Sequence, residues 1–241
     1  MNLSARWIFG LCVATSLLLV AGALGFWGAA EIRANATVIF FLTLIGGVWL
    51  SVATRLFSWL GLSFRDDAVE RKNIAALIAL CGAEIAAAII YAGGSVGEGP
   101  SYWNNVFSAA LAAVGLFGLW TMLEIGGKVS VSIAEERDLA SGIRLCGFLL
   151  AVGLVLGRAV AGNWHSESAT IRDFIVDGWP AIVICALALV AEPIVRPSRC
   201  NPFPSWPKWG LIPALMIPAL IYLTIACAWV VHIGAWEGMA K

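Results

Sequence analysis

Glu84 stands about eleven residues into an apolar run that spans 73–93. Near mid-bilayer an ionised carboxylate costs on the order of 3 kcal/mol and must be paired, protonated or hydrated. Such a group can relay a proton or hold a cation if other acids share its depth, yet the other apolar runs offer none near their centres. The same carboxyl, protonated, can hydrogen-bond a neighbouring helix, and that structural role is the one expected.

A second set comprises Arg55, Glu124, Arg144 and Glu192, each one to two turns from the same end of its apolar run. Two acids and two bases at one depth balance in charge. An ion-pair girdle joining the helices explains that balance better than an ion pathway, which usually favours one sign. Arg158, near the opposite end, is expected to snorkel to the interface.

Other chemistries lack their residues. His165 and His232 are both expected on the outer side, and two ligands without acids or cysteines at fixed spacing make a weak metal site. Cys12, Cys81, Cys146, Cys185 and Cys227 fall within apolar runs, Cys200 lies in a loop, and no Cys-x-x-Cys occurs. That placement reads as small apolar packing residues rather than a disulfide framework or a zinc site. Absent histidine at a span centre, haem is not expected, and the last span has no Lys for a Schiff base. No Ser-His-Asp order, phosphate loop or paired catalytic carboxylates can be read. Neither an enzyme nor a bound cofactor is expected.

The elements that must position these residues follow from composition. The 241 residues are 61% hydrophobic and 12% charged, with zero formal net charge and a mean hydropathy of +0.89. Charge this sparse argues against an ordinary soluble domain, and its balance leaves no footprint for nucleic acid. About 20 apolar residues cross roughly 30 Å of hydrocarbon. Seven runs qualify, at 7–30, 36–60, 73–93, 103–125, 139–161, 174–195 and 209–232. The expected fold is therefore an all-α, single-domain transmembrane bundle. Trp7, Trp59, Trp103, Trp164, Trp206, Trp209 and Trp236 fall near the ends of the runs, as an aromatic belt would. Trp49, Trp120 and Trp229 lie deeper, where packing is expected. The segment 201–207 holds three prolines and cannot be a regular helix; it is expected in the interface or against another protein.

Orientation follows from the loops. With the amino terminus inside, that side carries Arg6, Arg65, Arg71, Lys72, Lys128, Arg137, Arg196, Arg199 and Lys208, against Arg33, Arg172 and Lys241 opposite. The positive-inside rule favours a cytoplasmic amino terminus and an external carboxyl terminus. The first run has the basic start and small residues, Ala21 and Ala23, of a signal peptide, but is expected to persist as the first span.

Similarity within the chain points to tandem units. Residues 70–82 align without a gap on 135–147, with Leu80-Cys81-Gly82 matching Leu145-Cys146-Gly147, and Leu11-Cys12 gives a weaker echo. Arg55, Glu124 and Glu192 recur at the inner ends of alternate runs. Three parallel hairpins at 7–62, 73–126 and 139–195, followed by a final helix at 209–232, are expected. Ala75, Ala79, Ala83 and Ala87, with Gly153 and Gly157, supply small faces for close helix approach.

The charged loop followed by Asn73-Ile74-Ala75-Ala76-Leu77-Ile78-Ala79, Gly82 and a return helix resembles the repeat of the YjfL-like family, bacterial inner-membrane proteins of unknown function. The likeness covers roughly 63–195. Asp138-Leu139-Ala140-Ser141-Gly142 departs from its Asn-x-Ala-x-Ala form, and the final helix lies outside it. The resemblance implies a bacterial inner membrane and supplies no site residues. Together these readings favour a non-enzymatic structural or interaction subunit, partnered by lipid and by copies of itself or other membrane chains. The alternative is a proton, cation or small-solute channel or transporter built on Glu84.

Overall fold

The computed structural model describes residues 4–196 and 211–234, with side chains of the last helix described from residue 216. The fold is all-helical over these residues: α1 (Ala5–Trp27), α2 (Ala30–Arg33), α3 (Ala36–Phe57), α4 (Ile74–Ser95), α5 (Tyr102–Gly127), α6 (Val129–Ala134), α7 (Leu139–Ala159), α8 (Glu167–Gly178), α9 (Pro180–Val195) and α10 (Leu211–His232). A 3-10 turn, Ser58–Leu60, and a π-helical turn, Phe64–Glu70, join α3 to α4.

Five of these helices, α1, α3 with its 3-10 extension, α4, α5 and α7, are long and apolar enough to cross a membrane. A sixth crossing exists if α8 and α9 count together, although they meet at 44°. This bend corrects the expectation of an uninterrupted span over 174–195. Pro180 opens a new helix at its first position, where its missing N–H costs nothing, and α8 carries Glu167, Arg172, Asp173 and Asp177. The 16 residues of α9 alone reach only about 24 Å. Over the residues with described side chains, α10 is a shorter apolar helix, Met216–His232. The segment 201–207, Cys200, Arg199, Lys208, Trp206, Trp209, Trp236 and Lys241 lie outside the described residues.

The helices lie in two layers. The first holds α1, α4, α7 and α10 side by side; α3, α5 and α9 form the second, α3 resting on α1 and α4, α5 on α4 and α7, and α9 on α7 and α10. The four helices of the first layer run in one direction. Thus α1 meets α4 at Cys12 and Cys81 near one end, and Ala29 N–H reaches the Val96 carbonyl at the other. Likewise α7 meets α10 at Gly147 and Ala219, and again where Arg158 reaches Ile233 and Gly234.

Closest of all is the pairing of α4 with α7, the two most buried apolar helices. A Cβ at Gly93 would fall 2.0 Å from the Gly157 carbonyl oxygen, and one at Gly153 would fall 2.8 Å from Ala86 Cβ. Backbones approach this closely only where side chains are absent or nearly so, which is why the Ala-rich and Gly-bearing faces lie here. Outward faces stay apolar, as with Phe40, Leu44, Val48 and Val52 along α3. Apolar residues inside and outside alike are the pattern of a helix bundle solvated by lipid.

The turns leading into α4 and α7 share their construction. Lys72 and Arg137 hold φ of 52° and 54°, and Asn73 and Asp138 then cap the helices by accepting two backbone N–H groups each. Asn73 N–H reaches back to the Asp67 carbonyl and Asp138 N–H to that of Ser132. The two stretches read in sequence as plain charged loops thus contain helical turns. These turns lie at one end of the bundle, where Asn73 Nδ2 donates to the Ile133 carbonyl at 2.6 Å. At the opposite end Glu98 N–H donates to Asn163 Oδ1, and Trp164 N–H to the Glu98 carbonyl.

Candidate functional site

Four residues were expected to meet in one layer, and two do. Arg144 of α7 and Glu192 of α9 are both buried and joined by two hydrogen bonds, Nε to Oε1 at 2.8 Å and Nη2 to Oε2 at 2.9 Å. The fork of the guanidinium matches the two carboxylate oxygens, the strongest geometry for such a pair. Arg144 Nη2 also donates to Ser141 Oγ at 2.9 Å, and that hydroxyl donates to the capping Asp138 at 2.7 Å. Asp138 itself stands 3.9 Å from the guanidinium. The helix cap, the serine and the ion pair therefore form one network, in which each charge has partners. Tyr222 of α10 is buried near it, its hydroxyl without a hydrogen-bond partner among the described residues.

Glu124 and Arg55 stand outside this network. Glu124 accepts from the backbone N–H and the hydroxyl of Ser130, at 2.9 and 2.5 Å, and so pins α6 to the end of α5. Arg55 is exposed and has no ion pair among the described residues. The girdle of four is thus corrected to one buried pair with a polar tail. Glu124 misses Arg144 because α6, unforeseen in sequence, gives it a nearer donor.

Glu84 is 1% exposed, on the face of α4 that α3 covers. Thr54 Oγ1 lies 2.9 Å from its Oε2 and 2.8 Å from the Leu50 carbonyl of its own helix. Neither Glu84 nor Arg144 lines the polar cavity at the carboxyl-terminal end of α4, around Glu98, Asn104 and Asp173, or the basic cavity at the opposite end, around Arg6 and Lys72.

Sequence reading missed the convergence of three cysteines. Cys12, Cys81 and Cys146 occupy the same depth in α1, α4 and α7, half-buried on one side of the first layer. Cys12 Sγ donates to the Cys81 carbonyl at 3.6 Å, and Cys146 sits over Gly82, where an added Cβ would fall 2.6 Å from its sulfur. Ala219 sits over Gly147 in the same way, at 2.5 Å. The matched Leu-Cys-Gly was the signal: each glycine receives a small residue of the next helix, Cys146 at Gly82 and Ala219 at Gly147. Among the described residues no three His, Cys, Asp or Glu side chains are grouped to hold a metal.

Of the deeper tryptophans, Trp120 is fully buried against Phe57, and Trp229 donates its indole N–H to the Asp177 carbonyl at 2.8 Å. Trp49 is half-buried beside Tyr91. Arg158 does not simply snorkel: its guanidinium donates to the carbonyls of Gly234, Ile233 and Ala161, closing the end of α10. This places positive charge at a helix carboxyl terminus, where the free carbonyls favour it.

No family model, curated protein or solved structure matches this chain.

Proposed function

We propose that this chain is a non-enzymatic multi-pass membrane protein that acts as a structural or interaction subunit of a membrane assembly. The observation that carries the reading is the pairing of Arg144 with Glu192 through two hydrogen bonds inside the bundle. A buried charge kept for transport must exchange partners with a passing ion; here both are consumed by each other and by Ser141. Glu84 fits the same pattern. If it carries a proton, it donates to Thr54 Oγ1, which then donates to the Leu50 carbonyl, so that one proton per contact satisfies both short distances.

On this reading the chain crosses seven times as three tandem parallel hairpins and a final helix, with α8–α9 as a broken sixth span. The shared turns before α4 and α7 support the tandem arrangement. Lys72, Arg137, Arg71 and Arg65 gather at one end, which the positive-inside rule assigns to the cytoplasm, leaving the carboxyl terminus outside. A bacterial inner membrane is the setting that the likeness to the YjfL-like family implies.

Reconstituted into liposomes under an imposed pH gradient, the protein is expected to dissipate it no faster than protein-free vesicles. A flux that Glu84→Gln abolishes would replace this reading with a Glu84-dependent proton path.

A further inference from the structure

The tight seam between α4 and α7 begins at Gly142, where an added Cβ would fall 2.6 Å from the Ala75 carbonyl oxygen. In the preceding turn-and-helix the corresponding position is Leu77. There α1 does not close onto α4. A cavity of about 820 Å³ opens instead, with Leu77 in its wall. One side is the first turn of α1, with Arg6 and Ile8; the other is Lys72 and Ile74 at the start of α4. A single change from glycine to leucine thus accompanies a seam in one place and a cavity in the other.

The lining is amphipathic in a specific way. Arg65 pairs with Glu70 at 3.1 Å and Arg71 with Asp67 at 3.1 Å, while Asp66, in no ion pair among the described residues, accepts from the Ser63 hydroxyl at 2.9 Å. Arg6 and Lys72 both line the cavity, and neither is in an ion pair among the described residues. Ser4 places no side-chain cap on α1, whose first N–H groups add to the positive end. Ile8 and Ile74 are exposed, continuing the wall towards the hydrocarbon. Two unpaired cations at the membrane surface above an apolar cleft between helices match a phosphate head with an acyl chain beneath it.

We propose that this cavity binds an anionic phospholipid, its phosphate between Arg6 and Lys72 and one acyl chain along Ile8, Ile74 and Leu77. The proposal rests on the membrane reading of the chain, but not on which side that end faces or on the subunit role.

The test is native mass spectrometry of the full chain released from bilayer discs containing equal phosphatidylglycerol and phosphatidylcholine. The parent should retain phosphatidylglycerol preferentially. Arg6→Gln with Lys72→Gln should reduce that preference about thirtyfold, since each of the two basic residues near an anionic surface contributes about 1 kcal/mol. Arg65→Gln with Arg71→Gln, which removes equal charge from the paired cations, should leave it nearly unchanged. Equal losses in the two variants would overturn the proposal, because the effect would then be net charge alone. Millimolar inorganic phosphate should not displace the lipid; displacement would make this a free-anion site. In the parent, a photoactivatable phosphatidylglycerol should label residues 4–8 or 72–77, and labelling confined elsewhere would contradict the assignment. Failure in any arm leaves the proton-flux result of the subunit reading untouched.

Discussion

Arg144 and Glu192, 48 residues apart in sequence, bind α7 to α9 through parallel hydrogen bonds of 2.8 and 2.9 Å in a site closed to solvent and lipid. Replacing both by apolar side chains removes two desolvated charges together; replacing one leaves the other stranded. Glu192→Ala should therefore lower stability by about 3 to 5 kcal/mol, and Arg144→Met with Glu192→Leu should recover most of that loss. Thermal unfolding in detergent measures both. A single variant as stable as the parent would show that the pair does not hold these helices.

Helix contact through glycine gives a matched comparison. Gly93→Ala would set a methyl 2.0 Å from the Gly157 carbonyl oxygen, whereas Gly118 in α5 has open space around it. Gly93→Ala should cost at least about 1 to 3 kcal/mol by forcing α4 and α7 apart. Gly118→Ala should be neutral or stabilise by up to about 1 kcal/mol through helix propensity. Chemical-denaturant titration in mixed micelles distinguishes them, and equal shifts would refute the seam.

Glu84→Gln should change stability by less than about 1 kcal/mol, because the amide still donates to Thr54 Oγ1. Glu84→Leu should cost more, about 1 to 3 kcal/mol, if it leaves the threonine's contact unmade in the interior. Melting temperatures of the two variants side by side check the order. A Gln variant as damaged as the Leu variant would mean that an ionised carboxylate is required.

Two helix caps differ only in what lies behind them. Asn35 is exposed and caps α3, so Asn35→Ala should cost about 1 kcal/mol. Asn73 caps α4 and also donates to the Ile133 carbonyl at 2.6 Å in a buried site. Asn73→Ala should cost roughly twice as much, since it also orphans a buried carbonyl. Equal losses would remove the link between the two turns.

The sequence made the bundle readable because lipid solvation leaves a strong mark: apolar runs of fixed length, separated by charge. Asn73 and Asp138 stand at matching places in the aligned stretches, and both are caps, a role the apolar runs did not register. Arg144 was visible as a charge one to two turns inside an apolar run. Its partner was harder to assign, since the choice between Glu124 and Glu192 depends on helix rotation and on short elements that hydropathy does not register. The six residues of α6 supply Ser130 to Glu124 and so decide the matter. Likewise the break at Trp179 follows from Pro180 and the polar α8, local features that an apolar count over 174–195 averages away. The row of Cys12, Cys81 and Cys146 was present in the matched Leu80-Cys81-Gly82 and Leu145-Cys146-Gly147 and the weaker echo Leu11-Cys12, but its meaning needed the knowledge that successive first-layer helices lie side by side.

The subunit reading is tested most directly by the mass of the particle extracted with its surrounding lipid in polymer-bounded bilayer discs, without detergent. The expected result is one assembly of fixed stoichiometry, containing this chain together with further copies of it or other membrane chains. A lone chain in every disc, at every concentration, would contradict the account.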